Sequence, residues 1–193
     1  ESDLKREAGR LSGLRKQAAP AFEATLTALL GKLGMPRARF SVTFTQTNEL
    51  SSEGSDKIRY MFSANKGTPL GNLAETASGG ELSRLMLAVK SMISDKKMLP
   101  TIIFDEIDNG VSGETAGRVG AILQEMGSGM QVIAITHLPQ ISGKGTVHYL
   151  VKKVETAMGT ETVIIRLNKE ERTEEIARML SNEVVTDAAR TAA

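Results

Sequence analysis

The 193-residue sequence carries 24 Lys and Arg against 23 Asp and Glu, a formal net charge of +1, so any attraction to nucleic acid has to come from a local patch and not from bulk charge. At 40% apolar and 24% charged residues the composition is that of an ordinary globular chain; it has no apolar run near the ~18–20 residues of a membrane span and opens on no secretory signal pattern. Zero cysteines exclude a disulfide framework and a thiolate metal centre, which fits a reducing, cytoplasmic setting, and a start at Glu1 instead of Met suggests a fragment or a processed product.

Residues 1–19 are polar, with Leu4, Leu11 and Leu14 on a helical stripe that serves either a surface helix or the end of a coiled-coil arm. Pro20 punctuates this pattern. After it Phe22, Leu26, Leu29, Leu30 and Leu33 share one helical face, closed by Gly34 and Pro36. The segments 40–46 and 58–64 alternate apolar and polar residues and are expected to pair as antiparallel strands across a polar loop. A helix follows the pair Gly79-Gly80, with Leu82, Leu85, Met86, Val89 and Ile93 as its apolar stripe.

Next come an unalternating apolar strand, "TIIF" (101–104), a helix over 114–127 and a second such strand, "QVIAIT" (131–136). Strand, helix, strand in this order predicts a parallel βαβ unit covered on both faces. Residues 147–154 and 162–167 predict a closing hairpin with its turn near Gly159, Thr173 is placed as the cap of a last helix, and the tail 184–193 is expected to be disordered. The fold class is therefore α/β, a parallel-sheet core with a closing hairpin and flanking helices.

Three features carry chemistry. Asp105 and Glu106 stand where "TIIF" ends, and in open α/β sheets ligands bind outside the carboxyl ends of the strands. One carboxylate there can hold Mg²⁺ whose other ligands are phosphate oxygens, while the next orients and deprotonates a water; the alternative is a structural or solvated pair. Ser78, Gly79 and Gly80 lead into a long helix and offer backbone N–H groups and a hydroxyl to an anion, though Ser78 with Glu81 is equally an ordinary capping box. His137 follows the second strand as Asp105 follows the first, within reach of a terminal phosphate or an attacking water if the strands are neighbours; His148 lies in the hairpin and is given a structural role only.

In order and spacing these features resemble the C-terminal lobe of an ABC-type ATPase head. "FDEIDNGVSGETA", "ASGGELSRLMLAVK", "ITHLPQI", "FSANKG" and "EEIARML" are similar, more narrowly, to the RecN family of bacterial DNA-repair ATPases, relatives of the SMC proteins. The resemblance implies that residues 20–183 are the C-terminal lobe of the head, with 1–19 the base of a coiled-coil arm. It implies Mg²⁺ on Asp105, a water activated by Glu106, and a γ-phosphate sensed by His137. It further implies that Ser78, Gly79 and Gly80 bind the γ-phosphate of an ATP held by a second head in a homodimer, with Asp108 in the D-loop communicating across that dimer.

The phosphate-cradling loop G-x-x-x-x-G-K-[ST] is missing; "SGKGT" (142–146) has the residue types at the wrong spacing. An N-terminal Walker A lobe of the same protein is therefore implied as a partner, and this chain alone is expected to be inactive. DNA as a partner, a role in double-strand-break repair and recombination, and a nucleoid-associated location in the cytoplasm rest on the resemblance alone, since Arg37, Arg39, Lys152 and Lys153 read as ordinary surface charges. Two other readings are the nucleotide-binding subunit of an ABC transporter, where "DEIDNGVSG" departs from the usual "DEPTSALD", and a non-catalytic interaction module.

Overall fold

The computed structural model describes residues 1–97, 100–105, 107–156, 159–181 and 185–193. The chain divides into two units, Glu1–Lys96 and Lys97–Ala193. In the first, helix α1 (Ser2–Lys32) continues through Pro20, where the sequence suggests a break. The proline removes one helix hydrogen bond, at a cost of about 3 kcal/mol in a helix interior. Burial of Leu26, Leu30 and Leu33, each at 0% exposure, more than offsets that at roughly 1.5–3 kcal/mol per side chain. The helix stops as expected at Gly34, which takes a left-handed φ of 80°. The Met35 N–H then reaches the Leu30 carbonyl (2.9 Å) and the Gly34 N–H the Gly31 carbonyl (3.3 Å), a Schellman motif with Met35 and Leu30 both buried.

Strands β1 (Arg39–Ser51) and β2 (Gly54–Ser63) pair antiparallel, with Phe40 opposite Phe62 and Phe44 opposite Ile58. The pairing is the expected one, but the polar segment read as a loop belongs mostly to the strands, which close in a tight turn before Gly54 at φ 100°. Polar side chains on an exposed ribbon leave backbone pairing intact, so polarity alone did not mark a loop. Phe22 meets Phe40 edge-on at 5.8 Å, and Phe40 stacks on Tyr60 at 5.9 Å. Glu23 Oε1 accepts the Val42 N–H at 2.6 Å, and Ser12 donates to the side chain of Asp56 at 2.9 Å, so α1 is fastened along the hairpin.

A short β3 (Gly71–Asn72) pairs with β2, and α2 (Leu73–Thr76) leads to α3 (Gly79–Lys97). Here the buried residues are Leu85, Leu87 and Ala88, while Leu82 and Met86 of the expected stripe are 40% and 42% exposed. The buried face is thus rotated from the apolar stripe.

In the second unit β4 (Thr101–Phe104) and β5 (Gln131–Ala134) are parallel neighbours in the register Ile102 to Val132 and Phe104 to Ala134, joined through α4 (Gly113–Met126). Ile102, Phe104, Val119, Leu123 and Met126 are buried, as the βαβ reading requires. The expectation that both sheet faces are covered is not met: Ile103, Ile133 and Ile135 are 58%, 42% and 55% exposed. Unalternating apolarity reports what the strands are suited to bury, and within this unit the helices lie on one face.

Beyond α5 (Pro139–Ser142), the hairpin of β6 (Tyr149–Thr156) and β7 (Gly159–Arg166) forms as expected, with Val151 opposite Ile164. Helix α6 (Lys169–Leu180) is capped by Asn168, not by Thr173. Asn168 accepts from the Glu171 N–H at 2.9 Å and its own N–H donates to Glu171 at 2.8 Å, a reciprocal box one turn earlier than the sequence reading placed it. The tail, expected to be disordered, forms α7 (Asp187–Ala192), capped by Thr186 and tied back where Arg190 meets Glu174 at 2.9 Å. That contact holds the Glu174 carboxyl below its ordinary pKa. The domain boundary at 183 and 184 lies outside the described residues.

Helices α4 and α5 approach closely at Gly120, where a Cβ would stand 2.9 Å from the Gln140 carbonyl and 3.3 Å from the Ile141 Cα. Backbone cannot yield as a side-chain tip can. Gly120→Ala is therefore expected to lower the unfolding free energy by about 1–3 kcal/mol, read from urea titration, and an unchanged midpoint would show that the two helices separate freely.

Candidate functional site

The parallel register of β4 and β5 brings both strand ends to one edge of the sheet. Asp105 follows Phe104 there and is exposed. The Ile135 N–H continues the ladder to the Phe104 carbonyl at 2.9 Å, and Thr136 and His137 come next, so Asp105 and His137 leave adjacent strands on the same side. Glu106 lies outside the described residues.

The buried carboxylate of this segment is Asp108, at 4% exposure. Burying a carboxylate without partners is costly, and this one is satisfied by the loop after β5. Its Oδ2 accepts from the Thr136 hydroxyl at 2.6 Å and from the His137 backbone N–H at 2.7 Å, and lies 2.9 Å from His137 Nδ1. Thr136 Oγ1 in turn accepts the Leu138 N–H at 3.0 Å. The His137 side chain remains 78% exposed. One oxygen thus joins the turn after β4 to the turn after β5 and fixes where His137 stands. Sequence reasoning missed Thr136; the signal was a hydroxyl directly before the histidine at the end of an apolar strand.

In the first unit Ser78 caps α3. Its N–H donates to Glu81 at 2.9 Å and its Oγ accepts the Glu81 N–H at 3.4 Å, so the capping box read from the sequence is formed. Ser78 and Gly79 are nonetheless exposed, and a Cβ on Gly79 would meet nothing within 4 Å. The start of this 19-residue helix is open to an anion.

Among the described residues no three His, Cys, Asp or Glu side chains gather as a metal cluster. The exposed Asp105 is a hard oxygen donor and fits one ligand of Mg²⁺, a cation that ordinarily completes its shell with water and phosphate oxygens. Of the basic residues, Arg39 donates to the Thr68 carbonyl, while Lys152 and Lys153 are consecutive in β6 and point to opposite faces of the ribbon. The segment "SGKGT" ends α5 and the turn after it.

His148, given a structural role in the sequence reading, directly precedes β6, and its carbonyl accepts the Leu167 N–H at 3.0 Å. Its Nε2 is buried with no hydrogen-bond partner among the described residues. Burial and, secondarily, the charge of Arg172 push its pKa below 6.5, against the backbone of Ser142 and Gly145.

No family model matches the chain. It is 42% identical over 186 residues to the DNA repair protein RecN of Rickettsia conorii, a match that covers 96% of this chain and 34% of the relative. To the RecN of Vibrio cholerae it is 37% identical over 182 residues, covering 94% of this chain and 33% of the relative. The chain therefore spans about a third of the length of the curated relatives it matches. Among solved structures it shares its fold with the Smc head domain with a coiled coil and joint from Pyrococcus yayanosii (TM-score 0.63, 20% identity, 84% of this chain and 29% of that one). It likewise shares the fold of an SMC ATPase described for ATP-driven dimerization and DNA-stimulated activation (TM-score 0.57, 18% identity, 90% of this chain and 99% of that one).

Two predictions follow from this geometry. Asp108→Ala strands two donors of the loop after β5 and should cost about 2 kcal/mol or more of stability in urea denaturation, whereas His137→Ala, at an exposed ring, should be nearly neutral. Equal losses would show that the carboxylate does not organise the loop. Because His148 has its pKa lowered by folding, its contribution is complete above pH 6.5 and is lost as the pH falls below that value toward the folded pKa. His148→Gln should flatten that part of the stability profile; a profile unchanged in slope would place the acid sensitivity elsewhere.

Proposed function

We propose, on the premise that this chain belongs to the RecN family and spans about a third of its members' length, that it is the C-terminal lobe of an SMC-like ATPase head acting in DNA double-strand-break repair and recombination. The observation that carries the reading is the shared sheet edge of Asp105 and His137, the place where a doubly wound α/β fold offers its residues to a nucleotide. The SMC-head fold and the RecN relatives support it, and they do not favour the transporter reading.

In this reading the complete protein binds ATP, head dimerisation follows, and hydrolysis releases the dimer. The relevant neighbour, an SMC ATPase, is itself described for ATP-driven dimerization. Asp105 would hold Mg²⁺, which when bound neutralises charge on the phosphates. Glu106 takes a proton from the attacking water, and His137 stands at the terminal phosphate or that water. Ser78, Gly79 and Gly80, the first two exposed at the start of α3, hold the γ-phosphate of a nucleotide bound to the second head. Asp108 sits in the segment that communicates across that dimer.

The lobe carrying the phosphate loop is supplied by the rest of the protein. The open face at Ile103, Ile133 and Ile135 is suited to a further apolar layer, and we assign it to that lobe. DNA is the partner of the assembled protein, which acts in the cytoplasm at the nucleoid; no helix among the described residues is long and apolar enough to cross a membrane.

Calorimetric titration of this chain with Mg-ATP tests the division of labour. No binding up to millimolar nucleotide is expected from the chain alone, with micromolar binding once the phosphate-loop lobe is added. Micromolar binding to the chain by itself would overturn the half-site assignment.

A further inference from the structure

We infer that Thr136 is a positioning residue for His137: its hydroxyl, used once as donor and once as acceptor, holds the turn after β5 in the arrangement that presents the histidine at the sheet edge. Pairing of β5 with β4 ends at the Ile135 N–H, which reaches the Phe104 carbonyl at 2.9 Å, and α5 starts at the Leu138 carbonyl, which accepts the Ile141 and Ser142 N–H groups at 3.1 and 3.0 Å. Residues 136 and 137 belong to neither strand nor helix. The half-buried Thr136 side chain spans that gap. Its hydroxyl donates to Asp108 Oδ2 at 2.6 Å, securing the oxygen that takes the His137 backbone N–H at 2.7 Å, and it accepts the Leu138 N–H at 3.0 Å. A hydroxyl has one hydrogen to give and lone pairs to receive, so both contacts are made at once through a single atom. His137 is thereby pinned at its own amide and at the next one. Its ring, 78% exposed, takes no part in these three bonds.

Shape alone does not account for threonine here. Valine has the same branched outline, but without the hydroxyl the Leu138 N–H loses its acceptor and Asp108 Oδ2 loses a donor. Branching at Cβ also stiffens χ1, so the oxygen is presented in few directions. The consequence rests on the reading given under Proposed function, in which His137 stands at the terminal phosphate or the attacking water. A group misplaced by about 1 Å at a reacting centre can cost roughly a hundredfold in rate. Thr136 touches no reacting atom, and in that reading the phosphate-loop lobe cradles the nucleotide's phosphates, so loss of the hydroxyl falls on turnover and not on affinity.

The test has one arm without nucleotide and one with it. Amide hydrogen exchange of the full chain should show His137 and Leu138 protected, and Thr136→Val should speed exchange at both by about tenfold or more while the Ile135 amide, paired within the sheet, is unchanged. Thr136→Ser should restore most of the protection. If the valine variant does not fold, Thr136→Cys, whose thiol is a weak donor and acceptor, should show the same pattern in smaller measure. In the complete protein Thr136→Val should lower kcat roughly 10–100-fold with KM for ATP unchanged, and Thr136→Ser should stay within a few-fold of the parent. Unchanged exchange at His137 and Leu138 in a folded variant, or an unchanged kcat in the valine variant, would overturn the inference, and so would a loss expressed in KM alone. A complete protein that neither binds nor hydrolyses ATP would instead sink the ATPase reading, and the exchange data would then decide by themselves whether Thr136 positions His137.

Discussion

A single buried oxygen, Asp108 Oδ2, is the constraint on which the candidate site depends. Parallel strands fix the level at which two loops leave a sheet, but they do not fix where the loops go next. Here the turn after β4 sends a carboxylate inward, and the turn after β5 answers with two donors from adjacent residues, the Thr136 hydroxyl and the His137 backbone N–H. A buried carboxylate left unpaired would be costly, so the two loops are bound to one arrangement. Asp105 and His137 are displayed outward because Ile107 and Asp108 are held inward.

The same logic runs through the first unit at lower stakes. Helix α1 carries a long, mostly exposed polar stretch and is tied to the hairpin at intervals: Ser12 to Asp56, Arg15 to the Glu53 carbonyl at 2.8 Å, Glu23 to the edge N–H of Val42. The last of these also occupies a donor on an edge strand that would otherwise invite another chain.

Much of this was legible from residue order. The runs 101–104 and 131–134, set on either side of a helix, mark a parallel pair although only alternate residues of β4 are buried, and the run of Leu26, Leu30 and Leu33 marks the buried face at the end of α1. Ser78 with Glu81 announces a helix start, since the box is built from neighbours in sequence. The family resemblance was carried by motifs of the same local kind, and the identity to RecN relatives bears it out.

What the chain order left undecided were the matters that depend on residues far apart in it. Whether Pro20 ends α1 turns on burial won further along the helix; which face of α3 is buried turns on its surroundings and not on its stripe. Asp108 and His137 are separated by a helix and a strand, so no spacing rule could say that this carboxylate would take the His137 backbone N–H. Local sequence fixes which groups must find partners, because burial and desolvation belong to each residue. Only the folded chain decides which partner each one meets, because that is set by strand register and by the closing of loops.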